Sequence, residues 1–358
     1  MKYREPPGTA ACDSFPNAPT ASPSGVAHAE NDAAGTLYLG DNLEILRTCI
    51  PRNSADLIYL DPPFCSARNY TLTAGKRNGE TDGAPTAVFT DTWRWSDQAE
   101  QDFQAVLKEN GAVAETARAL RSMLHESGLT AYLLMLARRL LALRTVLKPS
   151  GSLYLHCDPT AGHYLKIVAD GIFGRSNFIN EIIWHYTGGG RSKSRFSQKH
   201  DCIYLYAGSG NRVFNPDPIR VPYKPTSGYA KSGITSKAGK RYFPDPRGTP
   251  PDDVWDIPIV NPMSRERTGY PTEKPPALLE RILLASSNSG DTVLDPFCGS
   301  GTTLYAAQKL GRRWIGIDNA PLAVQYSRQR LLAAFPGIVF TVHAAMEQRE
   351  TMCRLSPA

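Results

Sequence analysis

The segment Asp61-Pro62-Pro63-Phe64 sets a carboxylate, two rigid residues and a flat ring side by side. Proline fixes its own φ, so two in succession hold the Asp61 carboxylate and the neighbouring carbonyls in one geometry. Such a group accepts hydrogen bonds from an exocyclic amine while Phe64 stacks on the planar base that carries it. Bonds to Asp61 and to the Pro62 carbonyl favour a pyramidal nitrogen whose lone pair is free. A second segment, Asp295-Pro296-Phe297-Cys298-Gly299-Ser300-Gly301-Thr302-Thr303, has the form of a strand, a glycine turn and a helix start. Its glycines let the backbone approach a ligand closely, and the free N–H groups of a helix start favour an anionic group. Asp318 follows about twenty residues on, where a ribose hydroxyl binder is expected. The loop is not G-x-G-x-x-G, and no Gly-Lys-Ser/Thr follows to make it a P-loop.

These residues need elements to hold them. A near-continuous apolar run over 56–60 reads as a buried strand that stops at the prolines, so Asp61 sits at its C-terminal end. Further strands are expected at 36–40, 152–157, 292–294 and 314–317. Helices are expected at 98–125, 129–147, 276–287 and in the stretches leading to 173, 310 and 335. That alternation implies an α/β fold with a doubly wound, mostly parallel sheet covered on both faces. Residues 1–35, rich in Pro, Ala, Ser and Gly, read as a disordered tail, and 65–95 as a mobile loop. The reading divides the rest into a catalytic half at 36–185, a recognition insert at 186–270, a cofactor half at 271–335 and an extension at 336–358.

Of 358 residues, 41% are hydrophobic and 21% charged, enough for a real core, and the net charge is +6. That charge is concentrated. From Tyr186 to Arg241 there are eleven Lys and Arg against two Asp and Glu, a local net of +9, with seven Phe and Tyr interleaved. Arg191, Lys193, Arg195 and Lys199, just after a Gly188-Gly189-Gly190 hinge, are candidates for phosphate contacts. Seven Cys without a C-x-x-C pair indicate neither a disulfide framework nor a zinc finger. His156, His185 and His200 lack metal-ligand spacing, so no metal site is expected. The apolar stretch 129–147 carries Arg138, Arg139 and Arg144, which argues against a membrane span. A cytoplasmic, nucleoid-associated location is expected.

Leu39-Gly40-Asp41-Asn42-Leu43, Asp61-Pro62-Pro63-Phe64, Thr272-Glu273-Lys274-Pro275 and the glycine loop stand in that order. On these motifs the chain resembles the amino-methylating DNA methyltransferases, which use S-adenosylmethionine to methylate adenine N6 or cytosine N4. The resemblance covers residues 37 to about 332, and the motif order is similar to that of the circularly permuted beta class. It implies that Asp61, Pro62, Pro63 and Phe64 form the catalytic turn. It also implies that Phe297, Gly299, Gly301 and Thr302 form the cofactor loop, with Asp295 near the methionine amino group. Asp318 would hold the ribose, Asp41 would lie beside the cofactor's adenine ring, and Lys274 would help close the methionine end. Glu273 stands where Gln is usual. Asp rather than Ser at position 61 resembles the adenine enzymes, with cytosine N4 the alternative.

Methylation of cytosine C5 would need a nucleophilic Cys, which in that family follows Pro, and none of the seven does. A base inside a duplex cannot reach such a site, so base flipping is expected. Double-stranded DNA is the expected partner, with a restriction endonuclease and a second copy of the chain as further possible partners. An RNA amino-methyltransferase and a non-catalytic DNA-binding subunit are the competing readings.

Overall fold

The computed structural model describes residues 13–16, 33–66, 69–72, 86–188, 190–209, 211–261, 264 and 267–344. Its strands are β1 (Asp13–Pro16), β2 (Gly35–Leu39), β3 (Ala55–Leu60), β4 (Asn69–Leu72), β5 (Thr86–Thr90), β6 (Leu147–Cys157) and β7 (Phe178–His185). They continue with β8 (His200–Ala207), β9 (Ile234–Thr235), β10 (Arg241–Tyr242), β11 (Val254–Asp256), β12 (Thr292–Asp295), β13 (Arg313–Asp318) and β14 (Thr341–Ala344). The helices are α1 (Asn42–Thr48), α2 (Asp97–Leu107), α3 (Gly111–Leu124), α4 (Gly128–Val146) and α5 (Gly162–Phe173). They end with α6 (Gly228–Ser232), α7 (Pro276–Ser286), α8 (Thr302–Lys309) and α9 (Pro321–Ala334).

Ten strands form one sheet in the order β1-β14-β2-β13-β12-β3-β6-β8-β7-β11. From β14 to β6 every neighbouring pair is parallel. Only β1 and β8 run against this direction, since β8 is antiparallel to both β6 and β7. Side chains alternate across a strand, and β3 uses both faces. Ile58 and Leu60 join the core under α1 to α5, whereas Leu57 and Tyr59 join the core under α7 to α9. Helix α4 is buried nearly all round, with 132–137 consecutively covered, which accounts for its apolar sequence. The chain leaves β12 toward β13 on one side and β3 toward β6 on the other. The boundary between β12 and β3 is therefore the switch point at which open α/β sheets form a crevice.

Several expected boundaries move. Strand β2 pairs with β13 and β14, so the segment before Asp41 belongs with the cofactor half rather than the catalytic half. Within the expected insert 186–270, β8 lies inside the main sheet and β11 on its edge. Tyr204 and Tyr206 are consequently core residues and not part of an exposed basic face. Residues 341–344 of the expected extension form β14, and Asp13–Pro16 of the expected disordered tail pairs with it. The expected loop at 65–95 carries the β4–β5 hairpin. Residues 1–12, 17–32, 73–85 and 345–358 lie outside the described residues.

Candidate active site

Parallel strands deliver their C-terminal ends to one edge, and four of them end on a carboxylate: Asp41 after β2, Asp61 after β3, Asp295 and Asp318. A cleft of about 460 Å³ lies there, lined by all four, by Pro62, Pro63 and Phe64, and by the glycine loop. That size suits a small organic ligand.

On the loop side, Asp295 is buried and accepts the Phe297 N–H at 3.0 Å. Burial raises its carboxyl to about 7 against hydrogen bonds from Thr303 and Phe297, with the Asp61 and Asp318 charges pushing the same way. Asp318 accepts the Gly299 N–H and the Ala320 N–H, each at 2.9 Å, and burial raises it to about 6. The residue expected to hold a ribose thus also ties down the glycine turn. Gly301 has φ +75, and a Cβ there would meet the Ser327 Cα at 3.0 Å, so both conformation and space require glycine. Asp41 caps α1 through the Leu43 and Glu44 N–H groups, and its other oxygen takes the Arg139 guanidinium at 2.7 Å. Arg139 also donates to Asn42, which donates to the Pro296 carbonyl at 2.6 Å. One arginine from α4 therefore joins the β2 turn to the β12 turn.

On the catalytic side, Asp61 Oδ2 is paired with the Lys274 ammonium, which also lies 5.4 Å from the Phe64 ring centroid. Lys274, expected to help close the cofactor's methionine end, lines the same cleft and is turned toward Asp61. Asp61 Oδ1 is buried without a hydrogen-bond partner among the described residues. Behind it lies His156, fully buried, with Nδ1 3.9 Å from that oxygen. His156 Nε2 meets Asp201 at 3.2 Å and Nδ1 meets the Tyr59 hydroxyl at 2.8 Å. An ionised carboxylate only accepts, so Nε2 carries a proton toward Asp201, and the Tyr59 hydroxyl is the partner of Nδ1. Burial would raise Asp201, but the His156 bond and charge, with Lys274 and Tyr186, hold it below the ordinary carboxylate value.

Sequence reasoning missed four contributors. His156, singled out in the sequence only for its lack of metal-ligand spacing, packs behind the Asp61 turn. Asp91 lies across the cleft, takes the Ser66 hydroxyl at 2.8 Å, and is raised by burial to about 6. Arg139 gave no local signal beyond a charge in an apolar helix. Glu273, 4% exposed, pairs at 2.8 Å with Arg330, 8% exposed, and Arg330 also reaches the Thr302 hydroxyl at 2.9 Å. That pair anchors the 272–275 turn to the start of α8 and so places Lys274. A Glu where a neutral Gln is usual was the available signal, because a buried charge needs a partner. Thr302 serves this anchor as well as lining the cleft.

The charged residues of the 187–199 loop split into two groups. Arg191, Lys193 and Arg195 are exposed, whereas the Lys199 ammonium donates to the Gly188 and Gly190 carbonyls. Lys199 closes the loop rather than offering its charge outward. No cluster of His, Cys, Asp and Glu among the described residues could hold a metal, and no described helix is long and apolar enough to cross a membrane.

A family model described as DNA methylase, of the N6/N4 group, matches residues 55–329. The chain is 36% identical over 193 residues to the type II methyltransferase M.HpaI of Haemophilus parainfluenzae, covering 54% of this chain and 57% of that protein. It is 29% identical over 287 residues to the DNA adenine methyltransferase YhdJ of Escherichia coli strain K12, covering 80% and 78%. Among solved structures, the cytosine-N4-specific PvuII DNA methyltransferase superposes with a TM-score of 0.52 at 16% identity, over 85% of this chain and 90% of that one, a likeness of fold.

Two outcomes follow from this geometry. Glu273→Ala removes the carboxylate from beside a buried guanidinium and is expected to cost about 3 kcal/mol or more in urea unfolding. A Glu273→Met, Arg330→Met double variant should cost clearly less. For Asp295, a folded value above the unfolded one stabilises the protonated state. That contribution is complete below about pH 4 and is lost as the pH rises through about 7, on the order of 4 kcal/mol. Melting of the ligand-free chain should therefore fall over that range. Asp295→Asn should flatten the slope, and an unchanged slope would refute the assignment.

Proposed function

This chain belongs to the DNA methylase family whose members methylate exocyclic amines, and from that premise we propose that it transfers a methyl group from S-adenosylmethionine to N6 of a flipped adenine in duplex DNA. The observation that carries the reading is the buried, unpartnered Asp61 Oδ1 beside Phe64, in the same cleft as the glycine loop. A buried carboxylate oxygen without a donor is costly, and an amine N–H is the donor this pocket is shaped to receive.

The cofactor fits the residues present. Its sulfonium and ammonium cations suit a cleft lined by Asp41, Asp295 and Asp318, two of them raised by burial with no ligand charge beside them. When bound, it supplies an electrophilic methyl group. The chain's own residues do the remainder. Asp318 holds the glycine turn, and the Glu273–Arg330 pair holds the turn bearing Lys274. Pro62 and Pro63 keep Asp61 fixed, so accepting the amine costs little reorganisation. Lys274 holds Oδ2, so the amine engages the unpartnered Oδ1. Phe64 stacks on the base and orients it for in-line transfer. Asp61 and the Pro62 carbonyl draw on the amine protons, leaving the nitrogen lone pair free.

Adenine is favoured over cytosine by Asp at position 61 and by the name of the YhdJ relative. Duplex DNA is favoured over RNA by the basic 187–199 loop, which leaves β7 at the sheet edge that bears the cleft. A restriction endonuclease partner and a homodimer would extend the reading. The test is methyl transfer from labelled cofactor to unmethylated genomic DNA, with mass analysis of the nucleosides. N6-methyladenine is expected, and N4-methylcytosine would overturn the choice of base. Asp61→Ala should lower transfer by at least about a hundredfold and leave cofactor binding largely intact. Because Asp295 and Asp318 ionise near 7 and 6, affinity for the cationic cofactor should tighten as the pH rises from about 5.5 to 7.5. Calorimetric titration at several pH values measures this, and Asp295→Asn should weaken the trend.

A further inference from the structure

Strand β7 is parallel to β3 and β6, so the loop from its end to the start of β8 rises from the edge that holds Asp61. Three strand spacings, roughly 14 Å, separate β7 from β3. The loop is built rather than slack. The Tyr186 N–H meets the Lys199 carbonyl at 2.9 Å, and the Lys199 ammonium ties Gly188 and Gly190. Ser192 Oγ accepts the Ser194 and Arg195 N–H groups at 3.3 and 3.2 Å, and Ser197 Oγ accepts the Ser192 N–H at 2.9 Å. Residues 187–199 hold four cations and no Asp or Glu. In their midst the Phe196 ring is 99% exposed.

A phenyl ring held wholly in water gains from any apolar partner. Exposed cations on either side of it select a polyanion. Extruding a base leaves a gap in the stack, and an apolar side chain that enters the gap recovers part of the lost stacking. We infer that Phe196 is the wedge that enters the duplex where the target base has left it, with Arg191, Lys193 and Arg195 gripping the flanking phosphates. This rests on the reading of the chain as acting on an extruded base.

The test uses the full chain and duplexes bearing the site mapped on methylated genomic DNA. One duplex pairs the target base normally, and the other sets it opposite an abasic position, where little stacking or pairing opposes extrusion. Phe196→Ala is expected to lower kcat/KM on the paired duplex by about tenfold or more. It should be nearly as active as wild type on the second, and Phe196→Trp should retain activity on both. Equal losses on the two duplexes, or no loss on either, would overturn the wedge. So would a change in sedimentation with Phe196→Ala, which would make the ring a contact between copies of the chain. If the wild-type chain methylates neither duplex, the proposed activity is what fails. Fluorescence of 2-aminopurine at the target position then still reads extrusion, and equal signals from wild type and Phe196→Ala would overturn the wedge.

Discussion

Six carboxylates line one cleft, four of them because the strands that end there are parallel. Asp41, Asp61, Asp295 and Asp318 close adjacent strands, and Asp91 and Glu273 come from loops. Like charges at this density cannot all be ionised in a low-dielectric crevice without help. The chain answers in two ways. Arg139 and Lys274 neutralise Asp41 and Asp61 directly. Asp295, Asp318 and Asp91 have no cation at hydrogen-bonding distance among the described residues and are raised toward neutrality by burial. A cleft with unneutralised carboxylates on one wall selects a cationic ligand, which is the charge character of a sulfonium methyl donor.

The cations that manage this charge come from far along the chain. Lys274 reaches Asp61 across 213 positions, and Arg139 reaches Asp41 across 98. Each also performs a mechanical task. Arg139 couples the turns after β2 and β12 through Asn42 and the Pro296 carbonyl. Lys274 is placed by the neighbouring Glu273, whose buried partner Arg330 fixes the turn to α8. The two sides of the cleft are thus set by ion pairs rather than by apolar packing, and such pairs specify geometry more than they add stability.

The basic character of the central segment has two physical meanings once the sheet is known. Part of it, β8, is core: Cys202, Ile203, Tyr204, Leu205 and Tyr206 are buried between β6 and β7. The charges lie in the connections before and after it, which leave the sheet at opposite edges because β8 runs against its neighbours. Asp201, partly buried at the start of β8, supports the Asp61 turn from behind through His156.

Local sequence was sufficient to place Asp61 at a strand end, because two prolines cannot continue a central strand. It also placed a tight glycine turn between a strand and a helix start, because glycine alone adopts positive φ freely. Alternating strand and helix patterns determined the sheet class for the same short-range reason. What tertiary structure decided was everything that depends on pairing between distant segments. The place of β2 among the cofactor strands and of β8 inside the sheet follows from register, which apolar runs of similar composition do not encode individually. The turning of Lys274 toward Asp61, the closure of the 187–199 loop by Lys199 and the backing role of His156 were decided there too. A charge or an imidazole has the same local signature wherever it points, and only the packed chain brings its partner within hydrogen-bonding distance.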